Sequence, residues 1–175
     1  MDSIIRVVNY DSDWPIAYAQ EAGVVSIAAG DSFVRIHHIG STAIPGIMAK
    51  PVIDMLLEVS AVEALDDQSA RFEMLGYEVM GEFGIPGRRY FRKNNLSCTR
   101  THHIHAFKAG VADVTRHLAF RDYMRSHPVA ATRYGELKAR LAIECSRDME
   151  AYMDGKDVFI KEHEVLALRW KEKNT

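Results

Sequence analysis

The 175-residue sequence predicts an α+β fold, with a small mixed β-sheet packed by helices and a helical C-terminal part. Segments rich in branched and aromatic residues, which are typical of strands, fall within roughly the first 110 residues. Apolar residues recur at helical spacing before the first strand, between the second and third strands, and from Asp113 onward. The predicted order is helix, two strands, helix, three strands and then helices.

Composition favours one globular domain over residues 1–175, with the sheet in about 1–110 and the helical part in about 111–175. The net charge of -2 gives no indication of nucleic-acid binding. Because no apolar run reaches membrane-spanning length and no leader pattern opens the chain, we expect no membrane partner and a cytoplasmic location. The two cysteines, Cys98 and Cys145, lack the spacing of a zinc knuckle or a disulfide framework.

The first elements follow from local signals. Cap residues and Pro15 predict the start of a helix that runs to about Gly30. Residues 33–39 then predict a strand that ends in the turn at Gly40 and Ser41. After the Pro45-Gly46 loop signal, residues 51–59 predict a second strand.

The later elements are a helix over 61–75 and strands at about 77–82, 88–93 and 101–108. Three helices complete the chain, beginning near Asp113, at Pro128 and at Val158. The last one is predicted to end at Trp170.

The first candidate site is Gly40-Ser41-Thr42 at the end of a strand, with Asp54 on the next strand. A glycine lets the backbone approach a phosphate, and hydroxyl and N–H groups can hold phosphate oxygens. A nearby carboxylate can bind the divalent metal that bridges those phosphates. Lys50 would add a positive charge. The alternatives are a turn with a serine cap and a solvated loop lysine.

The second candidate is the histidine run at 102–105, because a strand places His103 and His105 on one face. Two imidazoles are half of a metal site, which Asp54 would complete. The alternative is a pair of structural histidines.

The third candidate is the basic segment 88–93, which holds Arg88, Arg89 and Arg92. Guanidinium groups match phosphate oxygens in bidentate fashion. Strand alternation places Arg89 on one face and Arg88 with Arg92 on the other. The alternative is a charged edge strand protected against aggregation. Arg121 and Lys138, on predicted helices, are further phosphate candidates, although such residues commonly form exposed, ion-paired helix faces.

The chain resembles the GrpB-like family over nearly its whole length, in NYDSDWP at 9–15, HIGSTAIPG at 38–46, KPVID at 50–54, PGRRYF at 86–91 and HIH at 103–105. The resemblance implies a nucleotidyltransferase-like fold, since the family is grouped with enzymes that transfer a nucleoside monophosphate from a nucleoside triphosphate to an acceptor. It also implies that Gly40 and Ser41 form a phosphate loop and that Asp54 binds metal. Some relatives look like an appendage fused to the kinase of dephospho-coenzyme A, which suggests a connection with coenzyme A.

The sequence departs from that superfamily beside Asp54, where Val52 and Leu56 replace the second carboxylate that active members carry two residues away. A single aspartate binds magnesium weakly, so His103 and His105 would recruit a softer ion such as zinc or manganese.

The leading hypothesis is therefore a metal-dependent nucleotidyltransferase that acts on an unknown small acceptor, with Mg, Mn or Zn as cofactor. Its catalytic residues would be Asp54 and Ser41, and Ser41 with Arg89 would hold phosphate oxygens. Two alternatives remain: a catalytically degenerate module that binds a nucleotide or another phosphorylated small molecule, and a metal-dependent hydrolase.

Overall fold

The computed structural model describes residues 4–175. It contains six helices, and the strands within this range form one five-stranded sheet. The elements in chain order are α1 (Trp14–Ala29), β1 (Phe33–Ile39), β2 (Ile53–Val59), α2 (Glu63–Asp66), α3 (Ser69–Met74), β3 (Tyr77–Val79), β4 (Arg89–Asn94), β5 (Arg100–Lys108), α4 (Ala112–Ser126), α5 (Pro128–Glu144) and α6 (Met149–Lys173). The predicted α+β fold, with its helical C-terminal part, is confirmed.

Two predicted helices have different bounds in the structure. The helix predicted over 61–75 is two short helices, because the Ser69 hydroxyl donates a hydrogen bond to the carbonyl of Asp66 and interrupts the helical ladder. The final helix begins at Met149 rather than Val158, because the Asp148 side chain caps it by accepting from the backbone N–H of Ala151.

The sheet is mixed, with strand order β1-β2-β5-β4-β3. Its central pair, β2 and β5, is parallel, and the other neighbours are antiparallel. In the parallel pair Asp54 lies opposite His103 and Leu56 lies opposite His105. This register places the candidate carboxylate and both candidate histidines on adjacent strands.

The two faces of the sheet pack against different parts of the chain. Met55, Leu57 and Val59 of β2 join the main core with residues of α1 and α3. Leu56 points to the other face, where it packs with Phe107 of β5 and Val114 of α4. Asp54 shares that second face, which the C-terminal helices approach.

Two glycines allow the C-terminal helices to pack closely. A β-carbon on Gly135 of α5 would lie 3.2 Å from the backbone nitrogen of Met48, and one on Gly155 of α6 would lie 2.6 Å from Cδ2 of Leu141. The first contact seats α5 on the loop between β1 and β2, and the second seats α6 on α5. The helical part therefore closes over the loop that carries Ser41 and Lys50. Within residues 4–175, no helix is both long enough and apolar enough to cross a bilayer.

Candidate functional site

The turn after β1 is built around Gly40, which has φ +72°. A β-carbon there would lie 2.6 Å from Oδ2 of Asp54, so only glycine lets the turn approach this carboxylate. The turn continues as one 3-10 turn, Ser41–Ala43. The Thr42 hydroxyl donates to the carbonyl of Val52 at 3.2 Å and therefore accepts from Nε2 of His38 at 2.9 Å. Thr42 thus fixes the turn to the start of β2, while Ser41 faces a pocket.

Asp54, His103 and His105 form a compact triad on β2 and β5. Oδ1 of Asp54 lies 2.9 Å from Nδ1 of His103 and 3.9 Å from Nε2 of His105. One ligand atom from each residue can be chosen so that all three lie within 4.8 Å of one another. Burial acts to raise the pKa of the Asp54 carboxyl, but its hydrogen bonding with the two histidines outweighs burial and holds that pKa well below its usual range. Asp54 is therefore a carboxylate at neutral pH.

The outer nitrogen of each imidazole faces an arginine. Arg100 approaches Nε2 of His103 at 3.5 Å, and Arg88 approaches Nδ1 of His105 at 3.3 Å. Since a guanidinium only donates, both outer nitrogens accept in this arrangement, and the ring hydrogens face Asp54. A cation at the triad would displace those hydrogens. The two arginines would then have to turn away, because the outer nitrogen of a neutral, metal-bound imidazole carries a hydrogen.

The triad lies in the wall of a pocket of about 380 Å³ between the sheet and the C-terminal helices. Its lining is rich in cations and aromatic rings, and Asp54 is its one carboxylate within the described part of the chain. The lining residues are Ser41, Thr42, Lys50, Val52, Asp54, Phe83, Arg88, Tyr90, His103, His105, Lys138, Tyr152, Met153 and Lys156. A pocket with this charge suits an anionic ligand.

The three arginines of the basic segment have different locations. Arg88 is buried and lines the pocket, where it also donates to the carbonyl of Phe83 at 2.8 Å. Arg89 forms a bidentate ion pair with Asp66, and Arg92 forms one with Glu78. Neither Arg89 nor Arg92 lines the pocket. Of the predicted phosphate ligands, the structure brings together Ser41, Thr42, Lys50 and Arg88 in the pocket lining. Gly40 packs against the carboxylate of Asp54.

The helical part contributes residues that the sequence did not indicate. Lys156, Tyr152 and Met153 of α6 line the pocket, and so does Lys138 of α5, for which the sequence predicts a phosphate contact or, as the alternative, an exposed helix face. Lys138 is in fact buried, and burial lowers the pKa of its ammonium group to about 7. The local sequence offered no signal for Lys156, because carboxylates outnumber lysines around Tyr152 and helical spacing does not show which groove a helix packs into.

Comparison with known proteins now places the chain in a family. The family model described as GrpB protein matches residues 4–165. The chain belongs to the GrpB family. It is similar to the crystal structure of the conserved protein GrpB from Enterococcus faecalis, with a TM-score of 0.90 and 41% identity, over 95% of this chain and 99% of that one. The nucleotidyltransferase-like fold expected from the resemblance is consistent with this placement.

Two further relatives are longer than this GrpB family chain. The UPF0157 protein YqkA of Bacillus subtilis is 41% identical over 168 residues, which are 96% of this chain and 48% of YqkA. A dephospho-CoA kinase of Mycolicibacterium paratuberculosis is 23% identical over 191 aligned residues, covering 96% of this chain and 47% of the kinase. The chain therefore spans about half the length of both proteins.

Proposed function

We propose that this chain binds a nucleotide or another phosphorylated small molecule in the pocket and, with a divalent ion, transfers a nucleoside monophosphate from a nucleoside triphosphate to a small acceptor. The observation that carries the proposal is the convergence of Asp54, His103 and His105 in the wall of one cation-lined pocket. The oxygen and nitrogen donors suit zinc or manganese better than magnesium, since only one of the three is a carboxylate.

The triad is the proposed metal site. Asp54 is ionised, and both imidazoles have a nitrogen directed toward it, so the donor set fits a divalent ion once Arg88 and Arg100 turn away. A bound ion would withdraw charge from phosphate oxygens and stabilise the negative charge that develops on them. The histidines also orient Asp54 when no ion is bound, because both lie within 4 Å of Oδ1.

Ser41, Lys50 and Arg88 are the proposed phosphate ligands near the triad. Lys50 forms no ion pair with a carboxylate among residues 4–175, and its ammonium group donates to the sulfur of Met149 at 3.8 Å. Its ammonium group is therefore available to an anion. In the proposed reaction the acceptor oxygen bonds to the α-phosphorus, and the bond from the α-phosphorus to the oxygen that bridges it to the β-phosphorus breaks. Pyrophosphate leaves, and the proton of the acceptor hydroxyl passes to solvent.

A metal-dependent hydrolysis is the second candidate, and the composition of the triad favours it. Two histidines and one carboxylate, open on one side to a pocket, are the ligand set of many catalytic zinc sites. Water would then take the place of the acceptor. Dephosphorylated or mononucleotide products formed without any added acceptor would distinguish this reaction from transfer.

The proposal is tested by incubating the chain with each nucleoside triphosphate and Mg²⁺, Mn²⁺ or Zn²⁺, with and without a panel of hydroxyl acceptors, and measuring bound metal and pyrophosphate release. We expect one bound ion per chain and metal-dependent release, both lost in Asp54→Asn and His103→Gln. His102→Gln is the matched control, since His102 is on the same strand but outside the pocket. The absence of both nucleotide binding and turnover with every ion tested would overturn the proposal.

A further inference from the structure

Three lysines form a second cationic group in the pocket, contributed by parts of the chain other than the triad. Lys50 is in the loop before β2, Lys138 is on α5 and Lys156 is on α6. The lysine ion pairs of residues 4–175 involve Lys93 and Lys161, so these three have no carboxylate partner there. Unpaired cations that are partly or fully buried are uncommon, because burial costs free energy unless an anion compensates.

The surroundings of the lysines supply few hydrogen-bond acceptors. The ammonium group of Lys138, 2% exposed, donates to the carbonyl of Met48 at 2.7 Å and lies 4.4 Å from the centre of the Tyr134 ring. Lys50 and Lys156 lie 5.8 and 4.6 Å from the centre of the Tyr152 ring. Most of the donors of these ammonium groups are therefore free for a ligand.

Tyr152 provides an independent indication of a ligand. The residue is fully buried and lines the pocket, and within residues 4–175 its hydroxyl is the buried side-chain polar atom without a hydrogen-bond partner. A buried hydroxyl without a partner costs free energy comparable to a lost hydrogen bond. A hydrogen-bonding molecule in the pocket would remove this cost.

Charge repulsion within the group agrees with this interpretation. Burial lowers the pKa of Lys138 to about 7, and the positive charge of Lys156 contributes. Burial likewise lowers the pKa of Lys156 to about 8, with a contribution from Lys50. A ligand with several negative charges would stabilise the protonated forms of these three lysines more than a ligand with a single phosphate would.

We propose that Lys50, Lys138, Lys156 and the Tyr152 hydroxyl form a subsite for a chain of two or more phosphate groups. The inference rests on the proposed function. In that reaction the subsite holds the terminal phosphates of a nucleoside triphosphate, while the triad is beside the α-phosphate. The substrate class is therefore a nucleoside triphosphate, and the leaving pyrophosphate stays neutralised by these lysines. Gly155 contributes indirectly, since its close contact with Leu141 seats α6, and with it Lys156, on α5.

The test measures binding of inorganic pyrophosphate, tripolyphosphate and orthophosphate by calorimetry, with the full chain and a chelator present so that no metal contributes. We expect the two polyphosphates to bind at least about tenfold more tightly than orthophosphate, as expected when several charge-assisted hydrogen bonds are added. Lys156→Ala should weaken pyrophosphate binding about tenfold, and Tyr152→Phe should weaken it while keeping the ring. Lys161→Ala is the matched control on the same helix and should leave affinity unchanged, since Lys161 pairs with Asp157 outside the pocket.

Equal affinity for orthophosphate and pyrophosphate, or pyrophosphate affinity unchanged in Lys156→Ala, would overturn the subsite. Lys156→Ala is the primary variant because Lys156 is only partly buried, so its replacement should leave the fold intact. The outcome is separable from that of the proposed function. Pyrophosphate binding that depends on the lysines, without turnover of any triphosphate, contradicts the transfer reaction alone. Metal-dependent turnover without lysine-dependent binding contradicts the subsite alone.

Discussion

A β-carbon on Gly40 would lie 2.6 Å from Oδ2 of Asp54. This relationship joins the turn after β1 to the carboxylate of β2. Position 40 therefore requires glycine for two reasons, the φ of +72° and the close contact with Asp54. The turn must press against the face of Asp54 that is not occupied by His103. Any side chain at position 40 would move either the turn or the carboxylate.

Gly40→Ala is therefore expected to abolish metal binding and to lower the free energy of unfolding by about 1–3 kcal/mol, through both backbone strain and contact with Asp54. Calorimetric titration with Mn²⁺ and chemical denaturation measure the two effects. Gly46→Ala is the matched control, because Gly46 has φ +81° but a β-carbon there meets no atom within 4 Å. Similar loss of metal binding in both variants would show that the contact with Asp54 is unimportant.

Val52→Asp is expected to increase affinity for Mg²⁺ about tenfold. Val52 lines the pocket two residues before Asp54, so the new carboxylate would supply the hard oxygen ligand that magnesium prefers. Leu56→Asp is the comparison, since Leu56 is fully buried against Phe107 and Val114. That variant should lose more than about 3 kcal/mol of stability and gain no affinity, because its charge has no partner. Unchanged Mg²⁺ affinity in a folded Val52→Asp variant would place the metal elsewhere.

The arginines of the basic segment should differ sharply in their effect on pyrophosphate or nucleotide binding. Arg88→Ala is expected to weaken binding about tenfold or more, because it removes a buried charged donor from the pocket. Arg89→Ala and Arg92→Ala should change affinity less than about twofold, since both residues are paired outside the pocket. A stronger effect of Arg89→Ala than of Arg88→Ala would reverse this assignment.

The pH dependence of stability should contain a contribution from Lys138. Burial lowers the pKa of this group to about 7, against 10.5 for an ordinary lysine. Between these values the unfolded chain binds a proton that the folded chain does not, so stability rises with pH. From pH 7 to 9 the free energy of unfolding should increase by up to about 1.4 kcal/mol per pH unit more than in Lys138→Met. Equal pH profiles for the two chains, measured by denaturation, would mean that Lys138 keeps its ordinary pKa when folded.

Local patterns were sufficient to predict the sheet part of the site. The glycine turn, the position of Asp54 on the strand that follows and the alternation of His103 with His105 all depend on neighbours in sequence. Strand alternation also separated Arg88 from Arg89, although it did not show that Arg89 would pair with Asp66. That partner is on a short helix whose position depends on packing across the other face of the sheet.

The lysine end of the pocket could not be predicted in the same way. Lys138 and Lys156 reach the pocket because Gly135 packs on Met48 and Gly155 packs on Leu141. These are contacts between different secondary-structure elements, and helical periodicity identifies an apolar face without identifying its partner.

The most direct test of the central claim is the anomalous diffraction of crystals soaked with Mn²⁺ and a non-hydrolysable nucleoside triphosphate. We predict one manganese peak within about 2.0–2.3 Å of donor atoms on Asp54, His103 and His105, with Arg88 turned from Nδ1 of His105 and the terminal phosphates among Lys50, Lys138 and Lys156. Manganese bound away from these three side chains, or a nucleotide bound outside the pocket, would contradict the account.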